Sequence, residues 1–105
     1  MDYGAEGKVV VTGRLDAAQA PAAQTFLDAT QGTVTLDCGG LEYISSAGLG
    51  VLLKTQKRLV KAGKRLLILN VNRHIYDVLQ YAGFDQLFEV RRAAGESRPS
   101  GLRWD

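Results

Sequence analysis

The sequence predicts a single α/β domain with a mixed, mostly parallel sheet of four to five strands and three to four helices. Strand-type and helix-type apolar patterns alternate along the chain in the order β-α-β-α-β-α-β, with short connections. Parallel strands joined by helical crossovers have this order. The chain has 105 residues, of which 46% are hydrophobic and 23% charged, as expected for one ordinary globular domain.

The first half of the chain supplies a strand, a helix and a second strand. Residues 8–15 include three consecutive valines and predict a strand, with Gly13 at a bulge or close approach near its end. Pro21 suits the first turn of the helix that follows, and Gln31-Gly32 ends that helix. Its buried face is expected to contain Ala23, Phe26, Leu27 and Thr30. Residues 33–37 alternate polar and apolar side chains, which is typical of a half-buried strand.

The second half continues the alternation. A helix is predicted from Ser46 to about Ala62, with Gly63 as its stop. Residues 66–69 are all apolar and predict a strand covered on both sides. Asn70 or Asn72 caps the next helix, which Gly83 ends, and residues 87–90 form a last short strand. The inner faces of the two helices are expected to be Leu49, Leu52, Leu53, Gln56, Leu59 and Val60 in the first, and Ile75, Val78, Leu79 and Ala82 in the second.

The predicted domain covers residues 1–92, and residues 93–105 form a tail. Arg, Gly, Ser and Pro dominate the tail without any apolar period, as in irregular chain ends. Trp104 is unusual for such a segment. It is equally compatible with a tail that docks on the domain or on a neighbour and with a passive tail.

Composition excludes several classes of function. The net charge of +2 is too small to indicate nucleic acid or an anionic membrane as the main partner. A single cysteine, Cys38, cannot form an internal disulfide, and with a single histidine, His74, it cannot complete a tetrahedral metal site. No apolar stretch approaches the roughly 18 residues of a membrane span, and the N-terminus lacks the features of a signal peptide. We therefore expect a cytoplasmic protein without membrane insertion and without a metal or cofactor.

Catalysis is also disfavoured. Ser45 or Ser46 as a nucleophile would need His74 as its base, and the serines lack the G-x-S-x-G pattern of a nucleophile elbow. Asp16 and Asp37, at the predicted ends of two strands, could together hold Mg²⁺ or perform acid/base chemistry. Aspartates at strand ends more commonly accept backbone N–H bonds in the following turns. The sequence thus predicts a protein that is not an enzyme.

The most informative segment is the serine motif at residues 41–53, Leu-Glu-Tyr-Ile-Ser-Ser-Ala-Gly-Leu-Gly-Val-Leu-Leu. An apolar strand end runs into two hydroxyls, then into small residues and the start of an apolar helix. Ser46 is the better candidate for the helix N-terminal, capping position, and Gly48 and Gly50 are expected to allow close packing of the helix against the sheet. The N-terminus of a helix favours anions, so a phosphate on this serine would add about −1.5 to −2 charges at a suitable place.

A basic stripe lies on the helix that Ser46 begins. It is defined by Lys54, Lys57, Arg58 and Lys61, which recur at i, i+3, i+4 and i+7. Such a stripe is usually the solvated face of an amphipathic helix. A docking surface for an acidic partner is the alternative, because the stripe shares its helix with the serine motif. Aromatic residues do not interleave with it, which argues against a single-stranded nucleic-acid platform.

Together the segments Gly13-Arg14-Leu15-Asp16, Leu36-Asp37 and residues 43–52 resemble the STAS domain of bacterial anti-sigma factor antagonists, over about residues 8–90. The family motif usually reads Asp-Ser-Ser/Thr-Gly-Leu-Gly, with the first serine phosphorylated. The resemblance places the phosphoacceptor at Ser46, the second hydroxyl position at Ala47, and the family aspartate at Ser45. It implies a partner-contacting site with these members: Asp16, Asp37, Ser45, Ser46, Ala47, Gly48, Leu49 and Gly50, with the basic stripe beside them.

The resemblance implies a switch. The unphosphorylated protein would bind an anti-sigma factor with serine kinase activity and displace a sigma factor, and phosphate on Ser46 would break that interface. A serine phosphatase is a further candidate partner. Two alternatives stay open: a non-switching STAS interaction subunit of a transporter or sensory complex, in which Ser46 is only a helix cap, and a weak nucleotide-binding module that uses the same helix N-terminus.

Overall fold

The computed structural model describes residues 1–4, 7–87 and 89–93, and it confirms the predicted α/β fold. Five strands form one sheet in the order β1-β2-β3-β4-β5, and only the β1–β2 pair is antiparallel. In chain order the elements are β1 (Asp2–Tyr3), β2 (Val9–Leu15), α1 (Ala20–Asp28), β3 (Val34–Ile44), α2 (Ser46–Lys61), β4 (Leu66–Val71), α3 (Arg73–Tyr81), a 3-10 turn (Phe84–Gln86) and β5 (Glu89–Arg92).

Two predicted features fall partly or wholly outside the described residues. The tail at 93–105, with Trp104, lies outside them except for Ala93, whose N–H donates to the carbonyl of Val71 at 2.9 Å. The last strand, expected at 87–90, begins at Glu89 instead, because Leu87 closes the 3-10 turn by donating its N–H to the carbonyl of Phe84 at 3.0 Å. Strand β1 was not predicted from the sequence, because its two residues are too few to show a strand pattern.

Strand β3 is the main departure from the sequence prediction. The predicted strand at 33–37 and the predicted strand end at Ile44 belong to one strand of 11 residues. The register against β2 slips where Val10 pairs with Asp37 but Thr12 pairs with Gly40, and it slips again between Gly13 and Arg14. Each slip inserts one extra residue into β3, as a β-bulge does. Asp37 and Cys38 therefore lie within a strand, not at its end.

The core lies between the sheet and the helices. Its largest fully buried side chains come from the three helices and from β3 and β4: Leu27, Leu36, Leu59, Leu66, Ile68, Ile75 and Leu79. The sequence predicted that β4 is covered on both sides. Leu67 and Leu69 are only half-buried, however, so one side of β4 is less covered than the other. Two further positions assigned to inner faces are exposed, Val60 on α2 and Ala82 after α3. Val51 and Thr55 are buried on α2 where the apolar pattern alone did not place them.

Helix α1 is fixed to α2 by an arginine. Arg58 on α2 donates from Nη2 to the carbonyl of Leu27 at 2.8 Å and to Oγ1 of Thr30 at 3.3 Å. The last carbonyls of a helix lack partners within the helix and carry its negative end, so a guanidinium there is favourable. Arg58 thus joins the two helices that follow β2 and β3.

Candidate functional site

The turn between β3 and α2 consists of a single extended residue, Ser45, with φ −97° and ψ 175°. Its N–H donates to the carbonyl of Leu15 at 3.0 Å, which fixes the turn to the end of β2. Its side-chain oxygen accepts the N–H of Gly48 at 3.3 Å. This is the geometry of an N-cap. The expectation that Ser46 occupies the capping position was therefore wrong, because Ser45 has the extended conformation that a cap requires.

Ser46 is instead the first residue of α2, and its side chain is exposed. The hydroxyl stands where the backbone N–H groups of the first helical turn have no carbonyl partners within the helix. The positive end of the helix dipole lies at the same point. The Ser46 side chain is thus open to solvent, at a point where the local field favours an anion.

Asp at position 45 would make the same cap as Ser45. Aspartate and serine are about equally good N-cap residues. Serine in place of aspartate at this position therefore keeps the structural role of an N-cap and leaves no negative charge on the residue next to Ser46.

Gly48 is required by the packing at this turn. A Cβ at this position would lie 2.4 Å from the carbonyl oxygen of Leu15 and 2.9 Å from Cγ1 of Ile44. Gly50 differs, because a Cβ there would meet nothing within 4 Å. Close packing explains Gly48 as predicted, but it does not explain Gly50.

Asp16 is next to the serine turn. It follows Leu15, which pairs with Ile44 in the sheet. Oδ1 of Asp16 accepts the N–H of Gln19 at 3.2 Å, and Oδ2 lies 3.3 Å from Nε of Arg14. Desolvation alone would raise the pKa of Asp16, but the bond from Gln19 and the Arg14 guanidinium together hold that pKa below its usual value. Asp16 is therefore ionised at neutral pH, beside the serine turn.

Asp37 does not share this site. It pairs with Val10, five residues before Leu15 on β2, which is about 17 Å at ~3.3 Å per residue. Oδ1 of Asp37 accepts bonds from Nδ2 of Asn70 and from the N–H of Gly39, both at 3.1 Å. The Asn70 bond and then the Gly39 bond lower the pKa of Asp37. Asp16 thus accepts a bond in the turn after β2, whereas Asp37 accepts bonds from residues of β3 and β4, and the two do not form a carboxylate pair.

The lone cysteine is not available for chemistry. Cys38 is 3% exposed. Burial, and then the charge of Asp37, raise the pKa of its thiol to about 12. A thiolate is the reactive form of cysteine, so this residue acts as a small core side chain.

The structure separates Arg58 from the other members of the basic stripe. Lys54, Lys57 and Lys61 are exposed, whereas Arg58 is half-buried and holds the end of α1. On the first turn of α2, Ala47 is exposed and Leu49 is half-buried. The exposed polar surface of α2 thus includes the serine turn at one end and three lysines along the side.

Two residues beside the site were not singled out by the sequence analysis. Arg14 and Tyr43 pair across β2 and β3, and the Arg14 guanidinium lies 4.2 Å from the centre of the Tyr43 ring. They are adjacent in sequence to Leu15 and Ile44, which frame the serine turn. In the sequence, each of the two precedes a buried aliphatic residue at a strand end. That pattern identifies them as a pair only when the register of the two strands is known.

His74 is exposed in the first turn of α3. Among the residues that the structure describes, no three His, Cys, Asp or Glu side chains are grouped as a metal site requires. Over the same part of the chain, none of the helices has the length and apolar character needed to cross a bilayer. What the arrangement offers is an exposed hydroxyl on a rigid helix end.

Comparison with known proteins gives one family. Residues 3–90 match the family model described as Mlab, STAS domain. BtrV of Bordetella bronchiseptica, which bears the name of an anti-sigma factor antagonist, is 38% identical over 79 residues. That alignment covers 72% of this chain and 68% of BtrV.

Three solved structures share the fold. A protein from Thermotoga maritima named as an anti-sigma factor antagonist has a TM-score of 0.71 at 18% identity, over 84% of this chain and 81% of its own. A sulfate transporter family protein from Wolinella succinogenes has a TM-score of 0.71 at 20% identity, over 90% and 89%. The Bacillus cell fate determinant SpoIIAA, in its phosphorylated form, has a TM-score of 0.62 at 18% identity, over 84% and 83%.

Proposed function

The chain belongs to the STAS domain family, among the anti-sigma factor antagonists, and we propose that it is a partner-switching regulator of transcription. In this proposal it acts by binding, not by catalysis, and it works in the cytoplasm. Its partner is an anti-sigma factor with serine kinase activity, which phosphorylates Ser46. A serine phosphatase would return the protein to its binding form.

The exposed hydroxyl of Ser46 at the start of α2 is the observation that carries the proposal. A kinase needs an accessible hydroxyl, and the neighbouring Ser45 hydroxyl is half-buried and occupied by the N–H of Gly48. Phosphorylation at Ser46 therefore leaves the cap intact, while the same reaction at Ser45 would remove it. This difference favours Ser46 as the acceptor.

Charge and bulk at Ser46 would oppose partner binding. A phosphate adds about −1.5 to −2 charges at pH 7, on a surface that already carries the ionised carboxylate of Asp16. A partner surface that fits an uncharged serine would lose affinity when the charge and bulk of a phosphate are placed against it. The fold would tolerate the phosphate, because the helix N-terminus favours an anion. The modification would thus alter the surface and leave the domain intact.

The rest of the interface is proposed to follow α2. Ala47, Leu49 and Gly50 continue the surface from the serine turn. The open space at the Gly50 position would let a partner approach the helix backbone. Lys54, Lys57 and Lys61 would then meet acidic residues of the partner, whereas Arg58 contributes through its hold on α1.

Phosphopeptide mapping tests the acceptor. The protein is incubated with ATP and the serine-kinase anti-sigma factors of its own organism, and the modified peptide is identified by mass. We expect one phosphate on Ser46, normal modification of a Ser45→Thr variant, whose hydroxyl can also cap the helix, and none of Ser46→Ala. Phosphate on Ser45, or normal modification of Ser46→Ala, would refute this assignment.

A binding measurement tests the switch. We expect the Ser46→Ala protein to bind the anti-sigma factor as the wild type does, and the Ser46→Asp protein to bind more weakly with an unchanged melting temperature. Equal binding of wild type, Ser46→Asp and the enzymatically phosphorylated protein would favour the second candidate function. That candidate is a non-switching STAS subunit of a transporter, which the fold similarity to the sulfate transporter family protein supports.

A further inference from the structure

An apolar groove lies beside the C-terminal half of α2, away from the serine turn. Leu53 and Val60 line it from the helix, and Leu87 lines it from the segment before β5. Val60 is 56% exposed and Leu87 is 49% exposed, although both are large aliphatic side chains. Leu53 and Val60 are seven residues apart, about 10 Å along one side of the helix at 1.5 Å per residue.

Buried hydrogen bonds hold this groove in shape. Gln56, which is 8% exposed, donates from Nε2 to the carbonyl of Leu87 at 2.6 Å. Its Oε1 accepts the N–H of Leu66 at 3.0 Å, at the start of β4. One amide thus ties α2 both to Leu87, on the opposite wall of the groove, and to the start of β4, so a ligand would find the groove already formed.

The charge beside the groove has one sign on the helix side. Lys57 and Lys61 line it together with the three aliphatic residues and Gln56, and its described lining includes no carboxylate. The two lysines are four residues apart, so they lie on the same side of α2 about one turn from each other. An occupant that is apolar on one face and acidic along the adjoining edge would complement both properties.

We propose that this groove binds an amphipathic helix of a partner protein, with apolar residues at i, i+4 and i+7 against Leu53, Val60 and Leu87 and with Asp or Glu facing Lys57 and Lys61. The i to i+7 spacing of such a helix matches the Leu53–Val60 separation. An anionic membrane would also suit lysines, but insertion requires apolar side chains on a protruding face, whereas here they line a depression.

The apolar part of this surface lies far along α2 from the phosphorylation site, although its two lysines also belong to the anti-sigma interface proposed above. Ser46 and Val60 are 14 positions apart on one helix, which is about 21 Å at 1.5 Å per residue. Exposed charges interact weakly beyond a Debye length of about 8 Å at physiological salt. A phosphate on Ser46 would therefore not by itself expel the occupant of the groove, whereas an anti-sigma factor bound to Lys57 and Lys61 would compete with it.

A synthetic stapled helix is the probe for the experiment. It carries leucines at i, i+4 and i+7 and glutamates along one edge, and its control has lysines in place of the glutamates. In amide NMR spectra of the full chain, we expect the acidic probe to shift resonances of the second half of α2 and of Leu87, but not those of the serine turn. The lysine control should bind at least about tenfold more weakly, because its charges oppose Lys57 and Lys61.

Two variants distinguish binding in the groove from nonspecific hydrophobic binding elsewhere on the surface. Val60→Asp should weaken the acidic probe at least about tenfold by placing a charge among the apolar contacts. Tyr81→Ser removes another exposed apolar side chain, one that is 96% exposed and outside the groove, and should leave the affinity unchanged. Because Val60 is more than half exposed, the variant is expected to fold, and its amide spectrum checks this. The Ser46→Asp protein should bind the probe as the wild type does, so a failure of the proposed switch leaves this test intact.

Several results would overturn the proposal. Equal binding of the two peptides, shifts outside the groove, or no binding would each do so. Dimerisation that Val60→Asp abolishes would assign the groove to a second copy. Binding to phosphatidylglycerol vesicles that Val60→Asp abolishes would assign it to a membrane. A Trp104→Ser variant of the full chain with about tenfold tighter probe binding would assign it to the chain's own C-terminal residues.

Discussion

Replacing Gly48 and Gly50 by alanine in turn provides the sharpest test of the site geometry. The two glycines are two residues apart on the first turns of α2, and both have helical backbones. A Cβ at Gly48 would lie 2.4 Å from the Leu15 carbonyl oxygen, whereas a Cβ at Gly50 would meet nothing within 4 Å. The same chemical change is therefore expected to have opposite effects at the two positions.

The expected magnitudes follow from three contributions. Relieving the contact at Gly48 requires a backbone shift of almost 1 Å, and overpacking of this kind costs about 1–3 kcal/mol. The shift would also weaken the hydrogen bond from Ser45 to Leu15, worth about 1 kcal/mol, and alanine recovers about 1 kcal/mol of helix propensity. Gly48→Ala should thus destabilise the domain by about 1–3 kcal/mol, and Gly50→Ala should stabilise it by about 1 kcal/mol.

Urea unfolding followed by circular dichroism measures both free energies of unfolding. The two variants should differ by about 2–4 kcal/mol, since the contributions above have opposite signs, and their melting temperatures by at least about 8 °C. Stability of Gly48→Ala within about 0.5 kcal/mol of the wild type, the scatter of neutral substitutions, would refute the close approach of α2 to Leu15. A destabilised Gly50→Ala would show that its surroundings are filled, contrary to the structure.

Three further predictions concern the cap, an aspartate and the lysines. Ser45→Ala should lower the free energy of unfolding by about 0.5–2 kcal/mol, whereas Ser45→Asp should largely keep it. Ser46→Ala should change the free energy of unfolding by less than about 0.5 kcal/mol. A larger effect at Ser46 than at Ser45 would show that Ser46 is the cap. Because the pKa of Asp37 is lowered in the folded protein, its charge stabilises the fold above the unfolded pKa, and this contribution disappears as the pH falls through the folded value. Asp37→Asn should therefore be less stable than wild type at pH 7, with a difference that shrinks below about pH 4 in urea titrations, and a constant difference would contradict the lowered pKa. The double variant Lys57→Glu/Lys61→Glu should associate more slowly with the anti-sigma factor, and its association rate should depend less on salt. Its free energy of unfolding should change by less than about 0.5 kcal/mol. An unchanged association rate in stopped-flow measurements would show that these lysines form only a solvated helix face.

The sequence by itself determined the order of the main elements from β2 onward and the position of the serine motif. Apolar periodicity placed α2 correctly because its core residues recur over 16 residues, enough turns to make the helical period clear. Gly63 and Gly83 marked chain reversals after helices, and both have positive φ, 75° and 79°, which glycine adopts without strain. The motif at 43–50 could be recognised locally, since strand end, turn and helix start are consecutive there.

Only the tertiary structure decided which residues surround Ser46. Asp16 and Asp37 looked equivalent in sequence, but two bulges in β3 and the register against β2 place only Asp16 at the serine turn. Register depends on contacts between distant parts of the chain, so no local pattern contains it. The same applies to Arg58, whose spacing assigned it to the basic stripe, although its guanidinium caps α1.

The assignment of the cap and the exposure of Val60 depended on single-residue detail. Two adjacent serines have equal capping propensity, and only the extended backbone of Ser45 distinguishes them. Periodicity placed Val60 on the inner face, but burial also requires a neighbouring element to cover that side of the helix, and none of the described residues does so for Val60. Local preference and period are properties of the sequence, whereas register and coverage arise only when the elements pack together.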